Sequence, residues 1–323
     1  MNSAGHLTTK PNQIISDVAL ENELAQILSG DHFPQNTVTP DKSRSLIKLF
    51  DALDCRDKDI LEIGSGFGLF SASMVFLGAR SCTGIEIQAK RVAASSRLAQ
   101  RPEFGARLRF IRGSATAPFS ISSLSVDRLF FIEVISHVRT NSFHEIYRES
   151  FRVLKPGGLV FISDGNNALS PFRRLGNYKL WRHFENGPDG STVHGHTVVK
   201  NFRQMRREIL GQLGVPENEI ELLSQATFGM AEAEIVDLVR RRNPGDQVPM
   251  QKTENVCPVD PIGDQYYEQL MNPNQVCKQL QEAGFTIVSL GSRRAPNLPP
   301  LVKYLLLQIS NGFRVVARKD GNA

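Results

Sequence analysis

The stretch Ile60-Leu61-Glu62-Ile63-Gly64-Ser65-Gly66-Phe67-Gly68-Leu69-Phe70-Ser71, residues 60–71, decides how the rest of the chain is read. An apolar strand, Ile60 to Ile63, runs into Gly64, Gly66 and Gly68, and a helix begins there. Missing side chains let the backbone turn sharply and approach a ligand, and the first amides of a helix offer donors to an anionic group. The spacing narrows the ligand. A dinucleotide fingerprint needs its third glycine where Leu69 stands, and a phosphate loop needs a Gly-Lys-Ser/Thr run that is absent here. Glu86 ends the second apolar run, 24 positions after Glu62. A carboxylate there accepts hydrogen bonds from both hydroxyls of a ribose. Taken singly, a glycine turn is an ordinary turn, Glu62 a helix-start residue and Glu86 a solvated strand end; their joint placement favours a nucleoside.

Outward from this loop, short apolar runs alternate with helical patterns, as in a sheet built from strand-helix-strand units. The expected strands are Ile60–Ile63, Cys82–Ile85, Leu108–Ile111, Val126–Ile132 and Leu159–Ser163. Helices are expected over 88–100 and 142–154, the latter with Phe143, Ile146, Tyr147 and Phe151 at helical spacing. Lys155-Pro156-Gly157-Gly158 reads as a helix stop and a turn into the next strand. Residues 1–58 read as helical, with Thr39-Pro40-Asp41 as a helix start. Rhythm is lost after Ser163 and resumes at Asn272, with a helix to Gly284, a strand Phe285–Leu290 and a last strand Phe313–Ala317 closing an edge hairpin. The expected organisation is an N-terminal helical segment (1–58), a core in two pieces (59–163 and 272–319), and a mainly helical insertion (164–271).

The 323 residues are 41% hydrophobic and 22% charged, which suits a folded globular chain and excludes a disordered one. No apolar run approaches the roughly 18 residues of a membrane span, and the N-terminus lacks a secretory signal, so a cytoplasmic protein is expected. Four cysteines, Cys55, Cys82, Cys257 and Cys277, are too scattered for a disulfide scaffold or a metal site. The net charge of +5 is modest but segregated. Eight bases face Glu185 and Asp189 between 173 and 207, whereas four bases face twelve acids between 208 and 268. The basic stretch suggests an anionic partner.

With those motifs together the chain resembles the class I S-adenosylmethionine-dependent methyltransferases, in particular the broad group called methyltransferase type 11. The matching residues are Glu62 to Gly68, the acid Glu86, Gly113-Ser114-Ala115, Glu133 to His137, and Arg152 to Gly158. The resemblance implies a Rossmann-like α/β fold with a seven-stranded sheet in the order 3-2-1-4-5-7-6 and S-adenosyl-L-methionine as cofactor. It gives Gly64, Ser65, Gly66 and Gly68 to the methionine part, Glu62 to its ammonium and Glu86 to the ribose. Ser114 and Ala115 would meet the adenine edge, and Glu133, in the matched segment after the fourth strand, would also contact the cofactor. Ser114 departs from the family's usual Asp.

Methyl transfer from a sulfonium is an in-line displacement that needs positioning, exclusion of water and sometimes a base. His137, just beyond the fourth strand, is the candidate catalytic base; packing or capping is its alternative role. Asp164 ends the fifth strand nearby and reads equally as a turn residue. In the insertion, Phe172, Tyr178, Trp181 and Phe184 mix with Arg173, Arg174, Lys179 and Arg182, as a grip for an anionic or planar substrate, a membrane-resting face, or a core-packing helix with a solvated basic side. His183, His194 and His196 lack a third and fourth ligand at matched spacing, so no metal is expected. The leading expectation is methylation of a small-molecule or lipid-like acceptor. Two alternatives stand beside it: a nucleic-acid methyltransferase, against which the Glu133-Val134-Ile135-Ser136-His137 segment and the absence of a nucleic-acid module argue, and a non-catalytic scaffold of the same fold.

Overall fold

The computed structural model describes residues 18–28, 39–116, 118–243, 246, 248–250, 253–293 and 299–321. The sequence expectations for 1–17 and 29–38 lie outside these. Five strands form in the order of the expected alternation: β1 (Asp59–Ile63), β2 (Ser81–Glu86), β3 (Leu108–Arg112), β4 (Val126–Ile132) and β5 (Leu154–Asp164). Two short hairpins follow, β6 (Thr192–Val193) with β7 (His196–Thr197) and β8 (Val259–Asp260) with β9 (Gln265–Tyr266), and then β10 (Phe285–Ser292) and β11 (Phe313–Lys319). The large sheet has the order β10-β11-β5-β4-β1-β2-β3. Counting its own strands alone, this is the 3-2-1-4-5-7-6 order that the resemblance implies. β1, β2 and β3 run parallel, with Ile63 opposite Ile85 and Glu86 opposite Arg112. Strands β1 and β2 are buried along almost their whole length, which is why they read as unbroken apolar runs and not as alternating ones.

The helices are α1 (Val18–Ile27), α2 (Pro40–Ala52), α3 (Leu69–Phe76), α4 (Ala89–Ala99), α5 (Phe143–Val153), α6 (Pro171–Asn186), α7 (Phe202–Gln212), α8 (Glu217–Ala226), α9 (Glu232–Arg241), α10 (Pro273–Glu282) and α11 (Pro300–Ile309). Four start by one grammar, a polar cap bonding back to a first-turn amide. Thr39 accepts from Lys42 N, Ser170 from Arg173 N, Asn201 from Gln204 N and Asn272 from Asn274 N, and in three of these a proline follows the cap. Two expectations need correction. Lys155-Pro156-Gly157-Gly158 does not separate helix from strand: β5 already starts at Leu154, and Gly157 meets a left-handed φ of 77° inside it. The edge is not a hairpin either, because α11 intervenes between β10 and β11. Pro299-Pro300 opens that helix, whose run Leu305-Leu306-Leu307 is apolar.

The chain divides into two compact units. The first comprises residues 1–130, 149–160 and 318–323. Its helix ends are closed by buried cations. Arg128 Nε donates to Leu53 O at the end of α2, with Nη2 on Asp54 O, and Lys319 Nζ donates to Phe151 O and Leu154 O at the end of α5. The family-like run Arg152 to Gly158 is also structural here. Arg152 holds the carbonyls of Phe119 and Ile121 and the hydroxyl of Ser123, while Lys155 bridges Asp59 and Asp127.

The second unit comprises residues 131–148 and 161–317. Its helices α7, α8 and α9 bury Ile209, Leu210, Ile220, Leu223 and Ile235 together. On α6, Leu180 and Phe184 pack with Val198 and Phe202, and the Phe184 ring stacks on Tyr267 at 3.8 Å. The basic and acidic stretches are complementary. Lys200 meets Glu208, Arg203 and Arg207 meet Glu221, and Arg173 meets Glu268. The fully buried Arg206 forks onto Glu185, one of the few acids within the basic stretch. Five of the eight bases of the basic stretch are therefore paired with acids. Of the histidines, His183 pairs with Ser191 Oγ and His196 with the Tyr267 hydroxyl, and His194 takes a left-handed hairpin position.

Candidate functional site

In the first unit, β1 delivers Glu62 and the glycine loop, and β2 delivers Glu86. All three loop glycines take left-handed φ values, 72° at Gly64, 54° at Gly66 and 84° at Gly68, a conformation that costs an ordinary residue roughly 1–2 kcal/mol. Their surroundings differ. A Cβ on Gly68 would run into the Phe110 ring of β3, so that glycine is required by packing as well as by its backbone. The same ring excludes a Cβ from Gly84 on β2, which would lie 2.6 Å from Phe110 Cδ1. A Cβ on Gly66 would meet nothing within 4 Å. The loop thus has a packed side at Gly68 and an open side at Gly66.

Backbone amides fix this shape. Gly64 N and Ser65 N both donate to Ile85 O, at 2.8 and 3.0 Å, and Gly68 N donates to Ser65 O. Gly66 N donates to Glu86 Oε2 at 2.8 Å, and Gln88 N donates to Glu86 Oε1 at 2.9 Å. Glu86 therefore points at the glycine loop, with one amide on each oxygen. Each carboxylate oxygen has room for a second donor. Glu62 is turned to the start of α3, where its Oε2 accepts from Ser71 N at 3.1 Å and from the Ser71 hydroxyl. Burial pushes the Glu62 carboxyl up to about 8, against the lowering effect of the Ser71 bonds, and the nearby Glu86 adds to the rise. Ser65 Oγ is buried and has no partner. Ser114 closes a local turn, accepting from Thr116 N at 3.1 Å, so its hydroxyl is already engaged by its own chain. Ala115 lies in the same turn, half-buried.

In the second unit, Glu133 takes a left-handed φ of 55°. Its carboxylate accepts from Gly165 N at 2.9 Å and pairs with Arg293, both residues of this unit. His137 Nδ1 donates to Tyr266 O, 3.1 Å away, and its Nε2 stands 3.9 Å from Glu268 Oε1. Asp164, at the end of β5, is fully buried. Its two oxygens accept from Ser136 N, Asn166 N and Asn166 Nδ2. Burial, and then the Glu133 charge, push its carboxyl up to about 6. Asn166 passes the chain of bonds on, with Nδ2 donating to Glu268 Oε2 and Oδ1 accepting from Arg173 and Asn177. Sequence reasoning singled out His137, Asp164 and Arg173 but missed Glu268, Asn166 and Asn177. Glu268 follows two tyrosines in an acidic stretch, and nothing local to it signals a partner a hundred residues away.

A family model described as a methyltransferase domain matches residues 61–162. The ribosomal protein L11 methyltransferase of Pasteurella multocida is 26% identical over 117 residues, 36% of this chain and 37% of that protein. The erythromycin 3''-O-methyltransferase of Saccharopolyspora erythraea is 31% identical over 110 residues, 33% of this chain and 34% of that one. The chain thus matches about a third of the length of these curated relatives. Among solved structures, a SAM-dependent methyltransferase of Methanosarcina mazei aligns over 85% of this chain and 98% of its own, with a TM-score of 0.47 and 17% identity. Residues 61–162, which run from β1 into β5 of the sheet described above, thus carry the match to a methyltransferase domain.

Proposed function

We propose that the protein transfers a methyl group from S-adenosylmethionine to a small-molecule or lipid-like acceptor. The observation that carries the cofactor assignment is the open side of the loop at Gly66, beside a carboxylate whose oxygens each keep one acceptor position. Those two positions suit the two hydroxyls of a ribose. The residues present fit an S-adenosyl group in charge as well. Glu62 offers a buried carboxyl for an ammonium, Gly64 and Ser65 shape the loop, and Gly68 fixes where α3 begins. Ser114 and Ala115 supply turn backbone for the adenine edge, and Glu133 serves through its clamp on Gly165 and Arg293.

S-adenosylmethionine, when bound, supplies a methyl carbon already activated by its sulfonium leaving group. The chain's own residues then have to hold and orient the acceptor, exclude water and take a proton. His137 is the residue for that last task. Its ring is oriented by Tyr266 O, and its other nitrogen stands 3.9 Å from Glu268 Oε1. The O-methyltransferase name of one relative supports an oxygen acceptor. Pairing of five of the eight bases of the basic stretch with acids counts against a nucleic-acid substrate. Calorimetry with S-adenosylhomocysteine tests the assignment: saturable heat is expected, with at least tenfold weaker binding by Glu86→Ala. No heat at millimolar ligand refutes it.

A further inference from the structure

We propose that α6 and α11, both in the second unit, form a docking face for an anionic lipid bilayer, with apolar side chains entering the interface and bases meeting the lipid phosphates. Docking of this kind lies apart from the methyl-transfer site and requires nothing of it. The sequence of α11, PLVKYLLLQI, has one charged residue, Lys303, and apolar residues on every side. A helix that is apolar all round is normally buried in a folded protein. This one is not. Leu301, Tyr304, Leu305 and Ile309 are each between 55% and 70% exposed, and Leu307 alone among its described side chains is buried.

The start of α6 is anchored to the end of this helix. Ser170 Oγ donates to Ile309 O at 3.3 Å, and Asn167 Nδ2 donates to Leu307 O at 2.6 Å and to Ser310 O at 2.8 Å. Phe172 and Leu175, on the first turns of α6, are 68% and 60% exposed. Two helices that meet thus leave six large apolar side chains uncovered, a concentration that marks an interaction surface.

The bases decide what covers it. Of the eight between 173 and 207, Arg174, Lys179 and Arg182 have no acidic partner among the described residues, and all three are exposed on α6. Phe172, Leu175, Lys179 and Arg182 follow at intervals of three and four, so apolar and basic side chains share one face, opposite the buried Leu180, Trp181 and Phe184. Glu185, the one acid of α6, is buried on Arg206. No acid occurs on α11, and β10, packed against it, has no charged residue. On these three elements no exposed acid opposes the bases.

A bilayer fits both halves of this pattern, since acyl chains take the apolar side chains and headgroup phosphates take the bases. The ten residues of α11 make a helix about 15 Å long, half of a hydrocarbon core of about 30 Å, so it lies in the interface without crossing. No helix among the described residues is long and apolar enough to cross a membrane. A second copy of the chain would set these bases against the same bases across a two-fold contact. A nucleic acid stacks on flat rings, whereas Leu175, Leu301, Leu305 and Ile309 are aliphatic.

The test is flotation of the full chain with vesicles of phosphatidylcholine containing one-quarter phosphatidylglycerol, against vesicles of phosphatidylcholine alone. The parent is expected to bind the anionic vesicles at least tenfold more tightly than the neutral ones, and to be weakened at least fivefold by molar salt. Leu301→Ser with Leu305→Ser, and separately Lys179→Glu with Arg182→Glu, are each expected to weaken anionic-vesicle binding at least tenfold. Urea midpoints establish that each double variant is folded, and if one is not, the other decides. Trp181 is buried, so the indole added by Tyr304→Trp reports on the face itself, and brominated lipid is expected to quench the added emission at least twofold. No flotation, equal binding to both vesicles, binding unchanged by a folded variant, or an unquenched added emission overturns the proposal. So does a parent dimer in sedimentation velocity that Leu301→Ser with Leu305→Ser abolishes, since a second copy then covers the face.

Discussion

Alanine at Gly66 and alanine at Gly68 should fail in different ways, although the two residues are neighbours in one loop. Both have left-handed φ values, 54° and 84°, so each substitution carries a backbone cost of about 1–2 kcal/mol. At Gly66 nothing else is added, since the new methyl meets no atom within 4 Å. At Gly68 the methyl meets the Phe110 ring, and overpacking adds about 1–3 kcal/mol. Gly68→Ala should therefore lose about 2–5 kcal/mol of stability, and Gly66→Ala about 1–2. Binding should rank the other way in proportion to stability. A methyl placed in space that the ligand needs costs about 1–3 kcal/mol, which is roughly a 5- to 150-fold loss of affinity. Urea midpoints and S-adenosylhomocysteine calorimetry on the two variants read both quantities. Adding Phe110→Leu to Gly68→Ala should recover part of the lost stability. If Gly66→Ala binds within twofold of the parent, the open side of the loop is not where the ligand lies. If the two variants are equally stable, the packing argument at Gly68 is wrong.

Glu62 should make both stability and cofactor binding depend on pH. Its carboxyl titrates near 8 when folded, above the ordinary value of 4.5, so the folded form holds the proton more tightly. The stability it contributes is complete below 4.5 and is lost as pH rises to 8, and Glu62→Gln should overtake the parent above pH 8 in urea midpoints. An ammonium bound there favours the ionised carboxylate, so at pH 7 binding should release protons, seen as heats that change with buffer ionisation enthalpy. Arg206→Ala strands the buried Glu185 and should cost about 3–5 kcal/mol, whereas the double replacement Arg206→Met with Glu185→Leu should restore most of it. Arg152→Ala removes the bonds to Phe119 O, Ile121 O and Ser123 Oγ and should cost about 1–3 kcal/mol, with faster amide exchange over 119–123.

What could be read from the sequence was local or periodic. The glycine loop, Glu86 at the end of β2 and the capped starts of α2 and α10 all lie within a few residues of the signal that announces them. The run Lys155 to Gly158 misled because proline and glycine punctuate strands as well as turns: Lys155 is spent on Asp59 and Asp127 across the sheet, which no window shows. Charge blocks misled for a related reason. Arg203 and Glu221 sit 18 positions apart and meet only after α7 and α8 pack. The cluster around Glu268 was the least legible part. Its members come from the ends of β5, α6 and the segment after β9, and a polar network of that kind has no period.

Glu268 holds a left-handed φ of 57°, and that backbone bears on how this protein would respond to selection in the laboratory. Glycine or asparagine at such a position relieves strain and commonly adds stability. A library screened only for thermal endurance would therefore tend to discard this glutamate, and the survivors would be tougher molecules without its bond to Asn166. Breeding for robustness here should carry a ligand-dependent selection alongside it.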